Sequence, residues 1–277
     1  MSAEPAFRDI SQPARGNLRP ARAPAPRRPD RDAPHRPASD EHPLLRAHGG
    51  ILTVESLGTV AYEPAWQLQD ELAQQRRERR IGDRLLLLEH FPVYTIGRGG
   101  DESNLLAGPE RLRELGATFH RIDRGGDITF HGPGQLVAYP IVELHDPLDL
   151  RRYVRVLEAA VIAVAVRFDV AAERVAGLPG VWVAGERKLA AIGVRVRRGV
   201  TTHGLALNVA TDLRWFDEMI GCGLPDKSAT SLSAEAGERI EMAAVEDALA
   251  SELAHGFGLR LVSGVAALAG PAGASEQ

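Results

Sequence analysis

The chain has 277 residues, 44% of them apolar and 25% charged, with a formal net charge of -4. That length holds one large domain or two small ones around a sizeable core. No run reaches the roughly 18 uncharged apolar residues that a membrane-spanning helix needs. A single cysteine excludes a disulfide framework and a multi-thiolate zinc site, and the acidic balance argues against general nucleic-acid binding. The lone thiol points to a reducing compartment, the cytoplasm, or to a thiol kept for chemistry.

The charge is unevenly spread. Residues 1–38 hold eight arginines against Glu4, Asp9, Asp30 and Asp32, a balance of +4, which leaves -8 for the remainder. Eight of the eighteen prolines also fall there. With few large apolar side chains, the segment cannot offset its ordering entropy and reads as a disordered tail over 1–45. It lacks the apolar run of a secretory signal, and its prolines and acids fit a transit peptide poorly. A globular domain over 46–265 and a loose Ala- and Gly-rich tail over 266–277 complete the organisation.

In chain order, Ala65, Leu68 and Leu72 at helical spacing predict a first helix, ending on Arg76, Arg77, Arg79 and Arg80 where cations suit the dipole. Those arginines read as a solvated helix end rather than a docking patch. The leucines of 85–88 suit a strand buried on both faces, followed by a loop through Pro92, Gly97, Gly99 and Gly100. Strands are expected at 117–122 and 136–141, the second after a glycine-rich stretch over 124–135. Tyr153, Leu157, Ala160, Val161, Val164 and Phe168 predict a long amphipathic helix over 148–168. Then come a strand beginning at 181–183, strands over 188–197 and 200–209 joined at Arg198-Gly199 as a tight hairpin, a short helical segment over 213–220, a helix over 240–256 and a strand over 260–262. This mixture predicts an α/β or α+β domain with a mixed sheet.

Only Lys188 and Lys227 among 33 basic residues are lysine. A chain that uses arginine for generic charge marks lysine as the residue needed where an ammonium must lose its proton. Lys227, after Pro225-Asp226, reads as an exposed charge. Lys188 shares its parity with Ala190, Ile192, Val194 and Val196, so strand alternation places it on the apolar face, where it needs a partner or a function unless it snorkels out at the strand end. Cys222 lies between Gly221 and Gly223, a setting that suits an exposed nucleophile in a tight turn, although free cysteines are commonly buried and inert. The glycine-rich stretch matches neither the phosphate loop nor the dinucleotide fingerprint. His90, His120, His131, His145, His203 and His255 show no paired zinc-ligand spacing, so no metal is expected.

Five ordered blocks carry a resemblance over about residues 50–262: His90 to Gly97; Arg124-Gly125-Gly126 through His131-Gly132-Pro133-Gly134-Gln135; Lys188 to Gly193; His203 to Asn208; and Cys222-Gly223. They resemble the lipoyl(octanoyl) transferases of lipoate biosynthesis. The resemblance implies a fold like the catalytic domain of biotin and lipoate protein ligases and a catalytic pair, Cys222 and Lys188. It implies an acyl pocket lined by Arg124, Gly125, Gly126, Asp127, Ile128, Thr129, Phe130 and His131, by Ala191, Ile192 and Gly193, and by Gly204, Leu205 and Ala206. The implied donor is octanoyl-acyl carrier protein; the acceptors are lipoyl domains of 2-oxo acid dehydrogenase E2 subunits and glycine cleavage H protein, with no cofactor, nucleic acid or membrane involved. Gly221 departs from the proline more usual in the family, which frees the turn. Small side chains at Ala190, Ala191, Gly193 and Gly204 are expected to leave room for an aliphatic chain. Three rival readings stay open: an ATP-dependent lipoate or biotin ligase, a Cys/His hydrolase using His131 or His203, and a non-catalytic binder of lipoyl domains.

Overall fold

The structure, a computed structural model, describes residues 43–46, 49–145, 148–221 and 226–264. The chain divides into two units, 1–38 and 39–277. The first lies wholly outside the described residues, as do Cys222, Gly223 and the tail over 266–277, and the fold below is that of the second.

The elements run β1 (Ile51–Val60), α1 (Tyr62–Arg77), β2 (Asp83–His90), β3 (Val93–Ile96), α2 (Pro109–Glu114), β4 (Thr118–Arg121), β5 (Ile128–His131), β6 (Gln135–Ile141), α3 (Leu150–Arg167), β7 (Ala172–Val175), β8 (Leu178–Val183), β9 (Arg187–Arg197), β10 (Val200–Asn208), β11 (Ser228–Ala229), α4 (Leu232–Ala236), α5 (Met242–Phe257) and β12 (Arg260–Ser263). A nine-stranded mixed sheet has the order β12-β1-β2-β6-β10-β9-β8-β7, with β11 added beside β9. β12, β1 and β2 run parallel and the path from β2 to β7 is antiparallel. A smaller sheet, β4-β3-β5, stands apart. The expected mixed α/β sheet is therefore present.

The leucines of 85–88 show why the large sheet is covered on both faces. Leu85 and Leu87 join the core formed with α3 and α5, whereas Leu86 and Leu88 join the core formed with α1. Strand alternation thus turns one apolar run into two half-cores. α3 buries Tyr153, Leu157, Ala160, Val161 and Val164 as its spacing predicts. Its N-terminus is capped by Asp149, whose carboxylate accepts the Arg152 amide at 2.9 Å.

Some expectations are corrected. The stretch read as a loop through 92–100 contains β3, fully buried, because Val93, Tyr94 and Ile96 suffice for a short strand paired on either side by β4 and β5. The glycine-rich stretch contains β5, whereas the short helical segment expected after 212 is present, as the 3-10 helix Leu213–Glu218. Leu44 and Leu45, assigned by composition to the end of the tail, are buried, and Leu45 bridges Leu144. Arg76 is not a solvated helix end: it is 1% exposed and bonds Asp83 Oδ1 and Glu143 Oε2, each at 2.7 Å. The hairpin is as expected, with Arg198 at φ 51° and Gly199 at φ 84°, the doubly left-handed turn that matches strand twist.

Candidate active site

The orientation of Lys188 turns on one irregularity in β9. Opposite β8, Val181 pairs with Ala190 while Trp182 pairs with Lys188, so Leu189 is an extra residue, a β-bulge. Leu189 and Ala190 both enter the α3/α5 core beside Val181, and the alternation restarts one residue late. Lys188 therefore points away from that core, on the face of Trp182, Ala191 and Gly193, and the parity argument that put it with Ala190 and Ile192 is overturned. Its ammonium stands 4.7 Å from the Trp182 ring centroid, a cation–π contact on a fully buried indole. Lys227 is half-buried rather than exposed and donates to the Gly185 carbonyl at 2.9 Å.

The same face gathers the three glycine- and alanine-rich blocks. Ala191 pairs with Ala206, Ile192 with Leu205 and Gly193 with Gly204 across β9 and β10. The Gly125 amide donates to the Val194 carbonyl at 3.0 Å, laying the arginine-glycine-glycine loop over Gly193. Ile192 and Leu205 send their side chains into the α3/α5 core, so they offer this face only backbone.

The room expected for an aliphatic chain is smaller than side-chain size implies. A Cβ on Gly193 would meet Arg124 Cδ at 2.8 Å, and one on Gly204 would meet the Ala138 carbonyl at 2.2 Å, so the protein fills both places itself. Ala190 faces the helices, leaving Ala191 as the small side chain on the open face.

Arg124 is buried and donates to the Thr95 carbonyl and hydroxyl, both at 2.9 Å, tying β3 to the loop. Asp127 accepts the Ile128 amide at 2.7 Å and the Asn104 amide group at 2.7 Å, so it fixes the neighbouring 97–104 loop. Ile128 and Phe130 point into the small-sheet core with Trp215 and Phe216. Thr129 and His131 occupy the opposite face of β5, and Gly126 lies at φ 87° in the loop before it. Cys222 lies outside the described residues. The chain after it returns to β9: Ser228 and Ala229 pair with Arg187 and Lys188, and the Thr230 amide donates to the Lys188 carbonyl at 3.0 Å.

A second cluster borders this face. His203, in mid-strand at φ 57°, holds a conformation that L-residues rarely adopt. The twist turns its ring toward α1, where Nε2 donates to Asp123 Oδ1 at 3.0 Å, and the Gln69 side chain accepts its amide at 2.7 Å. Asp123 also pairs with Arg195 through its other oxygen. Hydrogen bonding from His203, then the Arg195 charge, hold the Asp123 carboxyl below its ordinary range against burial. Asp123 thereby clamps the loop bearing Arg124 to both β9 and β10. Burial outweighs Asp123 at His203 and lowers its proton affinity, so the imidazole is neutral. His131 donates through Nδ1 to Gln135 Oε1 at 2.8 Å, and the Gln135 amide group donates to Asn208 Oδ1 at 2.9 Å. Asn208 in turn donates to the Thr230 carbonyl at 2.8 Å, ending the chain beside Lys188. Among the described residues, no three His, Cys, Asp or Glu side chains group to hold a metal ion.

Burial also drives His90 down to about 4 and His131 well below its ordinary value. His90 donates Nδ1–H to the Val60 carbonyl and accepts the Tyr139 hydroxyl at Nε2, each at 2.8 Å. The unfolded imidazole binds its proton near pH 6.5 and the folded one only near 4, so the unfolded state takes up more protons between them. Stability is complete above pH 6.5 and is lost as pH falls toward 4, by roughly 3 kcal/mol for His90 alone. Urea midpoints should fall across that window, and the fall should shrink in His90→Gln; midpoints that do not move would refute the neutral assignment.

Sequence reasoning missed Asp123, Arg195, Trp182 and Gln69. Arg195 had an available signal: it shares parity with Gly193 on β9, two residues away. Asp123 and Gln69 had none, since their partners lie 80 and 134 residues away.

The pattern defining the family described as "Lipoyl protein ligase A/B catalytic domain" matches residues 61–254. An octanoyltransferase of Chloroflexus aurantiacus is 48% identical over 211 residues, covering 75% of this chain and 95% of that protein. Two solved structures share the fold at 16% identity. Lipoate-protein ligase A bound with ATP has a TM-score of 0.62 over 78% of this chain and 88% of its own. A bipartite lipoate protein ligase from Thermoplasma acidophilum, described with its E2 lipoyl domain, has a TM-score of 0.59 over 78% and 86%. The chain belongs to the lipoyl protein ligase A/B catalytic domain family and, within it, to the octanoyltransferases, which are acyltransferases.

Proposed function

We propose that the protein moves an octanoyl group from octanoyl-acyl carrier protein to a specific lysine of lipoyl domains, on 2-oxo acid dehydrogenase E2 subunits and the glycine cleavage H protein, through a thioester on Cys222. The observation that carries this reading is the β-bulge at Leu189, which turns the Lys188 ammonium onto the face where Ala191, Gly193, Gly204 and Arg124 meet. The chain after Cys222 rejoins β9 at that same lysine. The acceptor is supported by the Thermoplasma protein described with its E2 lipoyl domain.

In the first step the Cys222 thiolate attacks the thioester carbonyl, forming a new C–S bond, and the carrier thiolate leaves and takes a proton from Lys188. In the second, the acceptor amine attacks that carbonyl, the Cys222 thiolate leaves, and neutral Lys188 accepts the proton the amine sheds. Thioester exchange is nearly balanced and amide formation is downhill, so no nucleotide is consumed. The backbone of Ala191, Ile192, Gly193, Gly204, Leu205 and Ala206 and the segment from Arg124 to His131, loop and β5 together, line the acyl chain's path. A single thiol that stays reduced suits the cytoplasm.

The test is intact mass after incubation with octanoyl carrier protein. Wild type should gain one octanoyl group that a lipoyl domain discharges, and Cys222→Ser should gain none. Transfer that requires ATP and survives in Cys222→Ser would replace this reading by a ligase.

A further inference from the structure

Asp127 stands where the arginine-glycine-glycine loop enters β5, and both oxygens of its carboxylate are taken. Oδ1 accepts the Ile128 amide at 2.7 Å and the Asp101 amide at 3.2 Å, while Oδ2 accepts the Asn104 side-chain amide at 2.7 Å. A carboxylate engaged in this way has nothing to offer an aliphatic chain, which calls for apolar cover. Two of its partners belong instead to the loop after β3, and that loop lies closely on residues 124–127. The Arg98 amide donates to the Arg124 carbonyl at 3.0 Å, and a Cβ on Gly97 would meet the Gly126 carbonyl at 2.3 Å. At Gly100 a Cβ would meet Asp127 Oδ1 itself at 2.6 Å.

Asn104 also reaches a third segment. Its backbone carbonyl accepts the Ile220 amide at 2.8 Å, Leu105 bridges Met219, and the Leu106 amide donates to the Glu218 carbonyl at 2.9 Å. Met219 is buried with Ile128 and Phe130 in the small-sheet core. One residue thus holds the glycine-rich loop by its side chain and the 218–220 segment by its backbone, and the chain reaches Cys222 two residues further on. Asn104 belongs to none of the five blocks that carry the resemblance.

We propose that Asn104 is a positioning residue for acyl transfer: by joining Asp127 to Ile220 it holds the segment that enters Cys222 in register with the loop along the acyl chain's path. The assignment rests on the transfer reading above. Its effect is alignment, since attack on a carbonyl needs the reacting atoms about 3–3.5 Å apart and a misplacement of about 1 Å can cost on the order of 100-fold. The intrinsic reactivity of the thiol does not depend on it.

The experiment uses the full chain as wild type, Asn104→Asp, Asn104→Ala and the exchange Asn104→Asp/Asp127→Asn. The first sets two carboxylates face to face, the second removes the donor without adding charge, and the exchange restores one hydrogen bond with donor and acceptor reversed. Single-turnover acylation by octanoyl carrier protein is followed by intact mass. Alkylation of Cys222 by iodoacetamide runs beside it, because that small reagent needs no alignment with the acyl path. Both single variants are expected to acylate at least about tenfold more slowly while alkylation stays within about twofold, and the exchange should return acylation to within about threefold of wild type. A folded single variant that acylates at the wild-type rate overturns the assignment, as does alkylation that slows in step with acylation, or an exchange that rescues nothing. Loss of the fold in both single variants makes the pair a structural tie and overturns it too. A wild type that takes no octanoyl group from the carrier fails the transfer reading itself, and this assignment falls with it; a wild type and an Asn104→Ala variant acylated equally fast fail the assignment alone.

Discussion

Lys188→Arg is expected to lose at least about 100-fold in kcat while keeping the fold, the span that a positioned acid–base group contributes. Arginine preserves the charge and stacks on the Trp182 ring as well as an ammonium does, so the cation–π contact at β8 survives. What it cannot do is give up a proton, because guanidinium stays charged throughout the working range. In the reading proposed above, both half-reactions require that exchange. A second readout separates charge from proton transfer: alkylation of Cys222 by iodoacetamide as a function of pH. Arginine should keep the thiolate available at neutral pH although turnover is lost, whereas Lys188→Met should lose both. Near-wild-type kcat in Lys188→Arg would reduce Lys188 to an electrostatic neighbour.

That experiment depends on a face of β9 which alternation alone misassigns. Parity counted back from Val196 through Ile192 is correct as far as Ala190, and there it fails, since Leu189 is inserted against β8. A bulge is a property of the pairing, fixed by which residue of 181–183 stands opposite, and a single strand read in isolation carries no trace of it. The elements that were legible draw their pattern from their own residues: the leucines of β2, the apolar stripe of α3 and the Arg198-Gly199 turn. β3 and β5 were hidden because four residues are too few for a periodicity and part of their apolar cover, Trp215, Phe216 and Met219, comes from a distant segment. The chemistry-bearing blocks were recognisable, yet the space expected at Gly193 and Gly204 belongs to Arg124 and to the Ala138 carbonyl. Glycine there permits close packing of backbone and side chain, a use that composition cannot distinguish from an open pocket. The strain at His203 is likewise invisible in sequence; it is sustained by Asp123 and Gln69, each contributed by a distant segment.

The largest stability effect is expected at Arg76. Its Nε bonds Asp83 Oδ1 and its Nη1 bonds Glu143 Oε2 at 2.7 Å, while Nη2 donates to the Arg46 carbonyl at 2.8 Å. One side chain thus joins the end of α1 to the start of β2, to the segment after β6 and to the chain before β1. Asp83 has no exposed surface, and burial lifts its carboxyl above the ordinary range in spite of the guanidinium. Removing the cation leaves that carboxylate uncompensated, so Arg76→Met is expected to cost about 3–5 kcal/mol, read as a drop in urea midpoint. The deficit has a direction with pH. A folded carboxyl that binds its proton more tightly than the unfolded one loses stability as pH rises, so the gap to wild type should be wider at about pH 7 than at about pH 5. Replacing Arg76 and Asp83 together, by Met and Leu, removes the stranded charge along with its partner and should recover most of the loss. If the double variant is no better than Arg76→Met, the cost lies in packing at the α1 terminus rather than in the uncompensated Asp83, and the pH dependence should vanish with it.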